Sequence, residues 1–355
     1  LKKEGKKMKD KKLGLLVSIV TAVLLVSLVM FPGCKPAEPE VYEWRIQSGY
    51  PRGDVSMELL NDFAAAAEKR SNGQLKISVF ADPEIVPLEQ LFEATKVGTL
   101  NMLQAGGTFW GGIVPVGEIE FGIPFVYNIP EEETFEGKAA EIRRFFFESG
   151  LVDILREEYG KQGLYWLDMH TYGPVTLHST VPVRTMDDLK GLKIRDEGLW
   201  TVFHDRLGAR GTTSVPPPEV YMALKLGTLD ISQWDVSGIT GFGWHEVAPY
   251  WLHPHQNDHI IGHILINLDS WNALPNNLKK ALAGAAEDYW DMTVETYAQE
   301  VKKAYETPGV EVCRMTEDTV ATWHKVAYGL WDELAAKDPV SAQVIELIKE
   351  WRGMK

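Results

Sequence analysis

Cysteine is the scarcest chemical resource in this chain of 355 residues: Cys34 and Cys313 are its only two, too few for a disulfide framework. Positive charge is short as well. Thirty-six Lys and Arg face 50 Asp and Glu, a formal charge of −14, and a nucleic-acid binder needs the opposite balance to neutralise phosphates. The chain has no Gly-rich phosphate loop, no Gly-x-Ser-x-Gly elbow and no Cys-x-x-Cys, so the usual signatures of nucleotide, hydrolase and redox chemistry are missing. There is no internal repeat. Long uncharged hydrophobic runs are missing too, apart from Leu13–Met30, which excludes a polytopic membrane protein.

What is present is globular. Hydrophobic residues at 45% and charged residues at 24% suit a packed core, and the length suits two lobes at roughly 100–200 residues each. Twelve Trp and twelve Tyr suggest aromatic-lined ligand contact as well as core.

The first forty residues read as an address. Seven lysines lie between Lys2 and Lys12, and the uncharged run Leu13–Met30 follows, the pattern of a secretory signal. It ends at Phe31-Pro32-Gly33-Cys34, which looks like a bacterial lipobox, with Gly33 as the small residue before the cut and Cys34 as the lipid-bearing first mature residue. An uncleaved anchor of eighteen residues is the alternative. Both place the body outside the cytoplasmic membrane. Pro36-Ala37-Glu38-Pro39-Glu40 then reads as a short tether stiffened by two prolines. Cys313 is left as a lone buried thiol.

The body alternates strands and helices. Val41–Ile46, Leu75–Phe80 and Asn101–Leu103 read as strands, with helices over Ser56–Lys69 and Leu88–Val97 between them. This order predicts an α/β lobe with a mainly parallel sheet. One long helical stretch, Glu133–Gly160, precedes a strand at Leu164–Asp168. A second set follows, with strands at Val175–His178, Leu192–Arg195, Thr228–Trp234 and Ile260–Leu268. Helices are expected over Leu199–Leu207, Pro218–Leu226, Leu278–Tyr305, Glu317–Lys337 and Val340–Trp351. The span Leu278–Tyr305 is far longer than an ordinary globular helix and should bridge lobes or partners. With Tyr289, Trp290, Tyr297 and Trp323 it points to a homodimer built on the C-terminal helices.

Two constellations carry chemistry. His253, His255, Asp258, His259 and His263 form a histidine-rich stretch that could tempt a zinc reading. On a strand, however, residues four apart lie about 13 Å from one another, too far to share an ion. A polar loop is the plainer reading. The other constellation is Asp187-Asp188-Leu189-Lys190-Gly191-Leu192-Lys193-Ile194-Arg195, a turn feeding a strand that ends in arginine. A guanidinium offers a carboxylate a rigid two-point fork, although Asp196 and Glu197 would equally suit a surface ion pair.

At that segment the chain resembles the substrate-binding proteins of TRAP transporters, the DctP-type receptors. The resemblance runs from Trp44 to the C-terminal helices. It is carried in order by Ala81–Pro87, Leu91–Ala94, Gly98, Met102, Asp187–Arg195, Leu207–Ala209, Val215-Pro216, Glu219–Tyr221, Ala223-Leu224, Gly227–Asp230 and Trp271–Pro275. It implies an α/β, two-lobed fold of the periplasmic-binding-protein type (type II-like), with a long helix spanning the lobes. The expected division is a signal over 1–33, a tether over 34–40, lobe I over 41–166 completed by about 255–305, lobe II over 167–254, and C-terminal helices over 306–355.

The resemblance implies a receptor, not an enzyme, that closes on a small organic acid anion and delivers it to TRAP permease subunits. Arg195 takes the place of the family's carboxylate-gripping arginine. Gln233 and Trp234, with Phe109-Trp110, look most like the branch that binds 2-oxo and 2-hydroxy monocarboxylates. That branch places a glutamate where Gln233 stands, to help hold a cation such as Na⁺ or Ca²⁺ against the ligand, so Gln233 and Trp234 are the metal candidates. Tyr50, Trp110, Tyr172 and Trp234 sit at ends of predicted strands, where loops face a cleft. A ligand-sensing receptor for a signalling partner and a metal-dependent enzyme using the histidine stretch are the alternatives.

Overall fold

The computed structural model describes residues 40–129, 134–212 and 215–354. The signal, the lipobox cysteine Cys34 and the acidic run Glu131–Glu133 lie outside the described residues.

Two sheets organise the body. The strands are β1 (Tyr42–Ser48), β2 (Leu75–Phe80), β3 (Met102–Gly106), β4 (Leu164–Thr171), β5 (Thr176–Ser179), β6 (Lys193–Arg195), β7 (Arg210–Thr212), β8 (Ile231–Trp234), β9 (Tyr250–His253), β10 (Ile261–Asn267) and β11 (Glu311–Arg314). The first sheet has the order β2-β1-β3-β10-β4 and the second β11-β9-β5-β8-β6-β7. The first is evenly mixed, two pairings parallel and two antiparallel, where the sequence predicts a mainly parallel sheet; in the second, three of the five pairings are parallel. β1 runs parallel to β2 and β3, but β10 enters from far along the chain and lies antiparallel to both β3 and β4. The β-α-β count sees only local crossovers, not a late strand inserted between early ones.

β10 shows why the first sheet is interior. Ile264 and Ile266 pack with Trp44, Ile46, Leu60 and Met102 on one face, while Ile261 and Leu265 join Leu103, Ala105 and Trp166 on the other. Period-two alternation splits a continuous apolar run between two cores, as expected for a sheet covered on both sides. The stretch expected as one helix is two, Phe135–Glu148 and Leu151–Lys161. Gly150, at φ 89° in the left-handed region, caps the second and turns the chain between them.

Helix Asn276–Glu306, with 31 residues, spans about 46 Å. Leu278, Leu282, Ala285 and Tyr289 pack into the first sheet's core, whereas Tyr297 and Ala304 belong to the core of the second. It therefore ties the two lobes. Tyr289, Trp290, Tyr297 and Trp323, the aromatics named with this helix, are buried within the chain. Cys313, on β11, is buried, its thiol against the Val183 carbonyl.

Two strand-like segments also cross between the sheets, from β4 to β5 and from β9 to β10. They pair with each other where they cross: the Tyr172 amide donates to the Ile260 carbonyl (2.9 Å), and Val175 bridges Asn257. The candidate site lies beside this crossing.

Candidate functional site

The ends of β6 and β8 build one wall. They run parallel with Arg195 opposite Ser232, so the turns after Arg195 and Trp234 emerge side by side. Arg195 is only 4% exposed. Its Nε donates to the Val215 carbonyl (3.3 Å), one Nη2 hydrogen goes to Glu197, and the guanidinium lies 4.9 Å from the centre of the Trp234 ring. A guanidinium has five N–H groups, and these two acceptors are the ones it meets among the described residues. The remaining donors are available on the cavity side.

The opposite wall comes from the first sheet. Tyr50 follows β1 and meets Tyr172, which follows β4, edge to face at 5.4 Å. Between the walls is a cavity of ≈ 60 Å³ with Phe121 and Trp200 completing its aromatic lining. A water needs roughly 10–15 Å³ of such space, so there is room for about five groups of that size. Outside this cavity, the Glu118 carboxylate accepts the Leu199 amide at 2.8 Å. Gly198 lets that happen: a Cβ there would sit 2.6 Å from Glu118 Oε1 and from Thr108 Oγ1.

Five of the six side chains singled out in the sequence (Tyr50, Tyr172, Arg195, Gln233 and Trp234) line this cavity. Trp110 does not. It is buried below β3, where its indole N–H donates to the Tyr159 hydroxyl (3.3 Å) and its ring stacks on His263 at 5.4 Å. A buried indole needs an acceptor, and Tyr159 supplies one in the core of the first lobe. The neighbouring Phe109 is the ring that reaches Tyr50, at 6.0 Å.

The sequence reading missed the acids. Asp54 and Asp235 line the cavity with Glu197. Asp54 caps helix Val55–Arg70, accepting the Met57 amide (3.1 Å) and the Ser56 hydroxyl (2.7 Å). Burial first, then the charge of Asp235, push its pKa up to about 7. Asp235, likewise buried, is raised in spite of the hydrogen bonds it accepts from Ser237. Asp54 was legible as an N-cap after Pro51-Arg52-Gly53, but nothing local says that a cap will face a cavity. Glu197 was visible as a salt-bridge partner and turns out to be one inside the site.

Gln233 belongs to a buried relay. Its Nε2 donates to Gln256 Oε1 (3.2 Å), Gln256 Nε2 meets His204 Nε2 (2.7 Å), and His204 Nδ1 meets Asp196 Oδ2 (2.7 Å). The roles follow from the carboxylate end. Asp196 accepts Nδ1–H, Nε2 accepts from Gln256, and the Gln256 oxygen accepts from Gln233. The Gln233 carbonyl oxygen is the end left over.

Of the histidine stretch, His255, Asp258 and His259 lie on the loop between β9 and β10, as expected, while His253 ends β9 and His263 lies within β10. His259 is buried, bonded to Thr171 Oγ1 (2.8 Å), and burial lowers its pKa to about 3. His263 is buried in β10 against Glu120, which also accepts from Tyr159 and Trp166. His253, His255 and Asp258 border a separate cavity of ≈ 380 Å³ near Lys138 and Arg314. Among the described residues no three His, Cys, Asp or Glu side chains are grouped to hold a metal ion.

With this geometry in hand, known proteins give a consistent comparison. The family profile described as bacterial extracellular solute-binding protein, family 7, DctP, matches residues 47–338. A monocarboxylate 2-oxoacid-binding periplasmic protein of Nostoc sp. is 23% identical over 321 residues, covering 87% of this chain and 84% of that protein. A TRAP periplasmic solute-binding protein of Chromohalobacter salexigens, solved with bound (S)-(+)-2-amino-1-propanol, superposes with a TM-score of 0.79 at 22% identity, covering 89% of this chain and 96% of that one. One from Colwellia psychrerythraea, solved with calcium and pyruvate, has a TM-score of 0.78 at 21% identity, covering 88% and 94%.

Proposed function

The chain belongs to the bacterial extracellular solute-binding proteins of family 7, the DctP type of TRAP receptor, and on that premise we propose that it captures a small organic acid in the interlobe cavity and hands it to TRAP permease subunits. The observation that carries the ligand class is Arg195: a buried guanidinium at a strand end, with donors to spare, on the wall of a small aromatic-lined cavity. Its planar fork matches a carboxylate, and the aromatic walls exclude water while orienting the anion.

The class implied by the resemblance is a 2-oxo or 2-hydroxy monocarboxylate, and the 2-oxoacid-binding relative from Nostoc supports it. Gln233 and Trp234 would close on the 2-position oxygen. A Na⁺ or Ca²⁺ ion beside the ligand is part of the same reading, since the Colwellia protein holds calcium with pyruvate. Here the oxygens available to an ion are those of Gln233, Asp54 and Asp235, a hard-donor set of the kind such cations take. The body works outside the cytoplasmic membrane, held there by lipid on Cys34. Lobe I spans about 41–166 with 255–305, and lobe II 167–254. No step of catalysis is part of this function.

A thermal-shift screen of small organic acids tests it. A ligand present at 100 times its dissociation constant stabilises the native state by about 2.7 kcal/mol. Failure of every carboxylate to raise the midpoint would defeat the ligand class. A mature N-terminus other than residue 34, read by mass spectrometry of the membrane fraction, would defeat the anchor.

A further inference from the structure

The charge balance of the cavity does not match a simple anion. Arg195 is the only Lys or Arg on its described lining, and Glu197 already pairs with it. Asp54 and Asp235 remain, 1% and 8% exposed, with no cation opposite them among the lining residues. A monocarboxylate on Arg195 would make the cavity more negative still, and isolated buried carboxylates are costly.

A second observation is independent of the acids. Gln233 is 7% exposed and lines the same cavity, and the Asp196–His204–Gln256 relay takes up its N–H. Its carbonyl oxygen has no partner among the described residues, so the relay presents an acceptor to the ligand. Tyr297, wholly buried, brings its hydroxyl beside Asp235. The rings of Tyr50, Tyr172, Trp200 and Trp234 line the same cavity, and that of Trp234 already carries the Arg195 guanidinium at 4.9 Å.

We propose that Asp54, Asp235 and the Gln233 carbonyl form a cation subsite beside Arg195, and that the ligand is a small zwitterionic 2-amino acid whose ammonium occupies it. This rests on the organic-acid reading above and narrows it: the group on the 2-carbon is a charged donor, not a keto or hydroxyl oxygen. The raised pKa of Asp54 fits a site whose acids await a positive charge. The small volume fits a three-carbon skeleton.

The test is calorimetry of the purified protein at pH 8 in EDTA with alanine, lactate and pyruvate, which share a skeleton and carboxylate and differ at the 2-carbon. Pyruvate is repeated with added calcium, and 2-amino-1-propanol serves as the amine without a carboxylate. Alanine should bind about 100-fold tighter than lactate or pyruvate, the scale of a buried charge pair gained or lost. Asp54→Asn and Asp235→Asn should each cut the alanine-to-lactate ratio at least about 10-fold. Failure of alanine to bind, equal binding of lactate or pyruvate, or unchanged ratios in both variants would overturn the subsite and leave the organic-acid reading standing. Tight pyruvate binding only with calcium would move the positive charge from the ligand to a metal ion and overturn the ammonium assignment. If 2-amino-1-propanol matches alanine, the cation subsite stands and the carboxylate grip of Arg195 fails.

Discussion

Replacing Asp54 with asparagine should make the ligand-free protein more stable at pH 8 while changing little at pH 4. Asp54 is buried beside Asp235, and its pKa rises from 3.8 to about 7, by burial first and then by that neighbouring charge. Asp235 is raised as well. In the unfolded chain an aspartate titrates near 3.9. Between about pH 4 and 7 the folded state therefore keeps a proton that the unfolded state has released. Stability contributed by this group is complete below pH 4 and is lost as the pH climbs through 7. A rise of about three pH units at 1.36 kcal/mol each makes the loss about 4 kcal/mol at most; part of it is shared with Asp235, because the two titrate together.

The substituted side chain would stay neutral throughout, and asparagine is as good an N-cap as aspartate, so the Met57 and Ser56 hydrogen bonds keep an acceptor. Urea unfolding at pH 4, 6 and 8 reads the difference. The wild type should weaken with rising pH, and Asp54→Asn should be flatter, ahead by about 2–4 kcal/mol at pH 8. Parallel pH profiles in the two proteins would refute the argument, because they would mean that Asp54 ionises in the fold without penalty.

Arg195→Ala should cost two to four decades of ligand affinity, on the scale of about 3–5 kcal/mol for removing one partner of a buried pair. Arg195→Lys should not restore it, since an ammonium cannot reproduce the fork; calorimetry showing both variants at wild-type affinity would place the carboxylate elsewhere. Gln256→Leu breaks the relay to His204 and frees the Gln233 amide to turn, so affinity should fall about 10-fold with the fold intact by circular dichroism, and an unchanged dissociation constant would show that the relay does not orient Gln233. Glu120→Leu removes the acceptor shared by Tyr159, Trp166 and His263; leaving those donors buried and unpaired should cost about 3–5 kcal/mol in urea unfolding, and a wild-type midpoint would deny that network a structural role.

Much of the second lobe was readable from sequence. β6 and β8 end at Arg195 and Trp234, as the apolar runs before them required, and helix Asn276–Glu306 keeps its buried face at three- and four-residue spacing for its whole length. The short strands β7, β9 and β11 were not seen, and each takes its place by pairing, β7 on β6, β9 on β5 and β11 on β9. Trp110 shows the complementary error. A tryptophan after a strand has the same local signature whether its indole N–H meets a ligand or, as here, the hydroxyl of Tyr159.

Sequence alone was enough for the alternation of strands and helices, the arginine at the end of β6 and the ordered motifs of the solute-binding family, because each depends on neighbours within a few residues. Only the tertiary structure brought Asp54, an N-cap in one lobe, against Asp235, the residue after a strand in the other, and linked Asp196 through His204 and Gln256 to Gln233. The physical reason is range: a cap or a strand end is set by local hydrogen bonds, whereas the charge balance of a cavity is set by whichever side chains the crossing segments carry into it.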